Sequence, residues 1–144
     1  MTISGGQLVL LDTSVVVHLV RYDAMGKAIE EQYALRHRSE RPLLSSIVEG
    51  EMLSLARGWE WEERRMAELQ SHLNELVRVD AGLPEVVRAY VDLYCEATRR
   101  GQPRGENDLW IAATARAAGA VLITCDRDFI WLHPHHVEVR YIAQ

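Results

Sequence analysis

Cysteine is scarce in this chain: there are two among 144 residues, Cys95 and Cys125, and they form no CxxC pair. That excludes a disulfide framework and a zinc knuckle, so both thiols are expected as small core residues. Long apolar runs are lacking as well. No stretch approaches the ~20 residues that cross a bilayer, and the first six residues have neither the charged start nor the apolar region of an export signal. A cytoplasmic protein without membrane contact is expected. Repeats, low-complexity tracts and Pro/Gly-rich linkers are missing too, and with 48% hydrophobic residues the chain can fill one core. Residues 1–144 therefore read as a single domain.

Lysine is almost absent: Lys27 stands alone beside fifteen arginines, and the net charge is −5. An acidic balance weighs against polyphosphate partners, whose affinity comes mainly from Lys and Arg. Placement matters more than the sum. Arg36, Arg38 and Arg41 form one group and Arg99, Arg100 and Arg104 another, and arginine suits bidentate phosphate contact. A GC-rich genome produces the same arginine bias, so both readings stand here. The charge does not exclude RNA, because a bound metal offsets clustered carboxylates locally.

What the chain does have is an alternation of short apolar runs and helix-period segments. Residues 8–11 and 121–124 are continuous apolar runs, the pattern of parallel strands covered on both faces. Weaker strand candidates lie at 43–44, 76–79 and 137–141. Helical periodicity predicts helices over roughly 14–20, 25–38, 47–56, 60–74, 83–100 and 108–118. Strands alternating with helices imply an α/β fold around a central, mostly parallel sheet. Residues 101–105 read as the clearest loop, and Gly119 as a helix stop.

Four acids stand where this architecture could gather them. Asp12 follows the first apolar run and Asp126 follows the run Val121-Leu122-Ile123-Thr124-Cys125; ligand sites of open α/β sheets lie just past such strand ends. Asp12 alone also reads as a helix N-cap, and Asp126 as a turn residue bonding its own backbone. Asp108 opens a helix whose i+3, i+4 and i+7 positions are Ile111, Ala112 and Ala115, an apolar face where an unpaired carboxylate is costly. Glu51 shares a stripe with Ile47, Val48 and Leu55, whereas Glu49 falls on nearly the opposite side, so Glu51 is the inward candidate. Asp128 is a weaker candidate for the same site. Taken together, the four favour a site over four separate caps. Clustered like charges raise their own pKa values and destabilise a fold unless a cation joins them. Mg²⁺ suits such oxygen ligands, with Mn²⁺ as an alternative, and points to a metal-dependent nuclease.

The segments Leu10-Leu11-Asp12-Thr13-Ser14, Ser45 with Glu51, Asn107-Asp108 before Ile111-Ala112-Ala113, and Thr124-Cys125-Asp126 resemble the PIN-domain family. The resemblance is to its small single-domain ribonuclease toxins of the VapC type and extends from Val9 to about Tyr141. It implies a three-layer fold with a sheet of about five strands flanked by helices. It also implies a homodimer, Mg²⁺- or Mn²⁺-dependent cleavage of RNA, and inhibition by a cognate antitoxin of a type II toxin–antitoxin pair. The family's conserved acids map onto Asp12, Glu51, Asp108 and Asp126. On that mapping Asp12, Asp108 and Asp126 hold the metal, Glu51 joins them or orients the attacking water, and Ser14, Asn107, Thr124 and Asp128 support the carboxylates.

Two rival classes were weighed. A phosphatase forming an aspartyl-phosphate usually carries a second Asp two residues on, where this chain has Ser14, and Lys27 follows Asp12 too soon to serve such a site. A PIN-like module that binds RNA or protein without cutting is the non-enzymatic alternative. Outside the acids, His133-Pro134-His135-His136 reads as a solvated loop lacking partner ligands at suitable spacing. Trp59 and Trp61 read either as packing residues or as a base-stacking platform or interface anchor. The helix from Leu83 presents Val86, Val87, Tyr90, Val91 and Tyr94 as core, with an outer face available for a dimer.

Overall fold

The computed structural model describes residues 3–102 and 105–144. Arg104 of the second arginine group, and the Pro103-Arg104 part of the expected loop, lie outside the described residues. Five strands, β1 (Val9–Leu11), β2 (Leu43–Ser45), β3 (Val77–Val79), β4 (Val121–Thr124) and β5 (Val139–Tyr141), form one sheet in the order β3-β2-β1-β4-β5. Every pairing is parallel. Six helices cover it: α1 (Thr13–Arg21), α2 (Ala24–Tyr33), α3 (Ser46–Gly58), α4 (Glu63–Asn74), α5 (Pro84–Arg100) and α6 (Glu106–Ala118).

Parallel strands need crossovers, and helices on both faces bury the strands from either side. All residues of β1, β2 and β4 are accordingly buried, which is why these segments are continuously apolar or end on a single Ser or Thr. β3 lies at one edge and exposes Val77 and Arg78. In register, Val9, Leu10 and Leu11 face Val121, Leu122 and Ile123. The chain leaves β1 for β2 on one side and returns to β4 on the other, so the strand order reverses between β1 and β4. Open α/β sheets bind ligands past the carboxyl ends of the strands at such a reversal.

Two expected elements differ from the structure. The helix anticipated over 25–38 stops at Tyr33, because Ala34 takes a left-handed conformation (φ 48°) and a 3₁₀ turn follows over Leu35–His37. The break turns Leu35 inward, where it is 4% exposed. In the last long helix of the sheet's cover, α5, the buried side is Val86, Ala89, Leu93 and Ala97. Val87, Val91 and Tyr94, expected as core, stand at the surface with Leu83. The helix carries two apolar faces, and α6 is its main packing partner. Cys125 is buried as expected, but Cys95, on α5, is exposed.

Candidate active site

Asp12 emerges one residue past β1, while its backbone N–H still bonds Ile123 O on β4 at 3.0 Å. Its side chain is 5% exposed. It makes no capping bond to α1; instead its Oδ2 accepts from Ser14 Oγ at 2.7 Å and Thr124 Oγ1 at 2.8 Å. Each hydroxyl in turn accepts a backbone N–H, Cys125 into Ser14 at 3.0 Å and Asp126 into Thr124 at 2.9 Å. The backbone donors fix the direction of both hydroxyl protons, which must point at Asp12. Burial pushes the Asp12 carboxyl above its usual range. The bonds from Ser14, Thr124 and the Thr13 backbone oppose that rise, and the charge of Asp126 adds to it.

Glu51 sits on α3 and is gripped from two other helices: Thr13 Oγ1 donates to Oε1 at 2.7 Å, and Asn107 Nδ2 to Oε2 at 3.2 Å. Glu49 turns away and accepts from Arg78 Nε at 3.0 Å. Asp108 lies in the first turn of α6, whose small buried residues Ala112, Ala113 and Ala115 permit close packing. Burial first, then the charges of Asp12, Asp126, Glu51 and Asp128, raise the Asp108 carboxyl to about 6. Asp126 Oδ1 accepts the Asp128 N–H at 2.9 Å, so the turn role is real as well.

Ligand oxygens of Asp108, Asp126 and Asp128 lie within 4.8 Å of one another. Asp12 stands outside that trio but close enough to perturb Asp108. The structure thus places all four sequence candidates around the carboxyl ends of β1 and β4 and gives the exposed Asp128 a place beside two of them. It also adds Thr13, which sequence reasoning did not single out. A hydroxyl in the first turn of α1 is an ordinary residue until α3 packs beside it. The donor set is oxygen-only, which fits a hard divalent cation. Among the described residues, no His or Cys joins it. His133 Nδ1 accepts the Val139 N–H at 3.0 Å, and His136 lies 3.8 Å from Glu96.

Three members of the arginine groups, Arg38, Arg99 and Arg100, have structural partners. Arg38 holds the carbonyls of Ser4 and Gln7, and Arg99 and Arg100 pair with Glu96. Two other arginines lie over aromatic rings: Arg21 Cζ is 4.1 Å from the Trp59 centroid and Arg65 Cζ 3.9 Å from that of Trp61.

A doubly covered parallel sheet with carboxylates gathered at its reversal point defines an α/β protein with an oxygen-rich candidate metal site. The chain belongs to the PIN domain family, whose profile matches residues 9–131. It is 30% identical to Ribonuclease VapC1 of Haemophilus influenzae strain R2866 over 115 residues, 80% of this chain and 84% of that one. Ribonuclease VapC2 of H. influenzae strain Rd is 27% identical over 115 residues, covering 80% and 83%. Among solved structures, VapBC2 from Rickettsia felis bound to a promoter DNA fragment superposes with a TM-score of 0.79 at 23% identity, covering 94% of this chain and 99% of that one. VapBC-1 from nontypeable H. influenzae gives 0.77 at 22% identity, covering 94% and 98%.

Proposed function

We propose that this protein is a Mg²⁺- or Mn²⁺-dependent endoribonuclease, the toxin of a type II toxin–antitoxin pair acting on RNA in the cytoplasm. The observation that carries the reading is the convergence of Asp12, Glu51, Asp108, Asp126 and Asp128 at one end of the sheet in a chain similar to named VapC ribonucleases. Asp12, Asp108 and Asp126 would hold the ion, directly or through water, with Asp128 near enough to join. The ion would supply Lewis-acid stabilisation of charge on the phosphodiester and make water a better nucleophile.

The chain's own residues do the rest. Ser14 and Thr124 fix the orientation of Asp12, and Thr13 with Asn107 fixes that of Glu51. Glu51 then orients the attacking water and takes its proton. The water oxygen bonds to phosphorus in line with the departing ribose oxygen, whose P–O bond breaks. The decisive experiment incubates partner-free protein with total cellular RNA and Mg²⁺ or Mn²⁺, against EDTA and against Asp12→Asn. Discrete cuts that need both metal and Asp12 are expected; cuts unaffected by Asp12→Asn would remove Asp12 from the site, and no cuts would favour a binding module.

The same reading includes a cognate antitoxin partner and a homodimer. Leu83 (44% exposed), Val87, Val91 and Tyr94 form an apolar stripe at i, i+4, i+8 and i+11 on α5, a face that a second copy would cover. Light scattering is expected to give twice the 16.4 kDa chain mass, and Val91→Glu, placed mid-stripe, to shift it toward the monomer. A monomeric parent protein would reject the dimer.

A further inference from the structure

A groove of ≈ 840 Å³ runs along one face of α3 from Glu51. Thr13, Glu51 and Asn107 line its start, Gly50 and Ser54 its middle, and Trp59 its far end. No Cβ projects from Gly50 or Gly58, and the space beside each is open. From Glu51 to Trp59 the helical rise spans about 12 Å, which exceeds a single nucleotide.

At that end the rings of Trp59 and Trp61 lie 5.3 Å apart and tilted at 42°. Arg21, from the last turn of α1, covers Trp59, and Arg65, from α4, covers Trp61. Neither guanidinium has a carboxylate partner among the described ion pairs, unlike Arg78, Arg99 and Arg100. Both arginines are exposed, and both tryptophans are half-buried. Planar guanidinium and indole faces stack on unpaired bases, and the same cations neutralise phosphates. A groove that begins beside Glu51 and reaches Trp59, next to which Trp61, Arg21 and Arg65 gather, matches one polymer, since that polymer carries the scissile bond at one point and a base and phosphate farther along.

We infer that the α3 groove is the path of the single-stranded RNA on one side of the cleaved bond, and that Arg21, Trp59, Trp61 and Arg65 bind a nucleotide beyond it. The inference rests on the ribonuclease reading for its substrate class. Its test reads binding, so that it stands apart from cleavage.

A short labelled RNA of mixed sequence is titrated by anisotropy against Asp108→Asn protein at several salt concentrations. Trp59→Ala added to that background is expected to weaken binding about tenfold, within the range that loss of one base stack produces, and Trp59→Phe to retain most of the affinity. Arg21→Gln and Arg65→Gln, at exposed positions that leave the core intact, are each expected to lower the salt slope by about one. These two variants keep the test open if Trp59→Ala does not fold. Unchanged affinity and salt slope in all of them would overturn the inference. So would variants that keep RNA binding and lose only a protein partner, which would give the groove to that partner. Failure of the ribonuclease reading is separate: the parent protein would then leave RNA intact in Mg²⁺ and Mn²⁺.

Discussion

Asp108→Asn is expected to lower RNA cleavage about a hundredfold or more while making the metal-free protein more stable. The first effect follows from removing a carboxylate from the oxygen set that would hold the ion. The second follows from the charges already present: Asp108 rises from 3.8 to about 6 because it is desolvated and faces Asp12, Asp126, Glu51 and Asp128. A carboxyl whose folded pKa exceeds its unfolded value keeps its proton longer in the folded state. Stability from this group is therefore present below about pH 4 and is lost as pH rises through 6. The interval corresponds to on the order of 3 kcal/mol, lowered by solvent screening because the side chain is only partly buried.

Asparagine carries no charge, so the variant should gain about 1–2 kcal/mol over the parent at pH 7.5 in EDTA and nothing near pH 4. Mg²⁺ should narrow the difference by stabilising the parent through binding to its folded state alone. Urea unfolding at the two pH values, with and without Mg²⁺, reads all of this. A variant less stable than the parent at pH 7.5 in EDTA would show that Asp108 is a structural cap and not a strained member of a charge cluster.

Thr124→Val tests the support beneath Asp12. Valine preserves the shape of a fully buried threonine on β4 but deletes the hydroxyl that donates to Asp12 and accepts from Asp126 N–H. A buried carboxylate then loses a donor and a buried N–H loses its acceptor, at a cost of about 2–4 kcal/mol at pH 7. The Asp12 carboxyl, already raised, rises further, so the destabilisation should fade as pH falls and Asp12 is protonated. Cleavage should drop about 10- to 100-fold, the usual effect of losing a partner that orients a ligand. Ser14→Ala removes the parallel hydroxyl, and the double variant should differ from the sum of the two because both act on one oxygen of Asp12. Strict additivity would mean that the two hydroxyls do not share a network.

The alternation of apolar runs with helical periods carried the fold class because β1, β2 and β4 are buried on both faces, and burial of that kind leaves an apolar run in the chain. β1 and β4 were plain for this reason, whereas β3, an edge strand with an exposed Arg78, left a fainter trace. The end of α2 was hidden, since nothing in Ala34 announces a left-handed residue. The stop is set by where Leu35 has to go.

The acids were legible for a related reason. Asp12 and Asp126 stand at strand ends, and Glu51 and Asp108 sit beside apolar neighbours, so it was the four together, not any one local pattern, that marked a candidate cluster. By itself the sequence determined which carboxylates lie at buried ends and faces, because period and burial are written in neighbouring residues. Only the tertiary structure decided how they are held: Thr13 and Asn107 on Glu51, Ser14 and Thr124 on Asp12, Asp128 beside Asp108, and Arg21 over Trp59. Apart from the local Ser14 bond, each of those contacts joins elements that the chain order keeps apart, and hydrogen bonds and ring contacts act over a few ångströms, so their partners exist only once the sheet has brought the elements together.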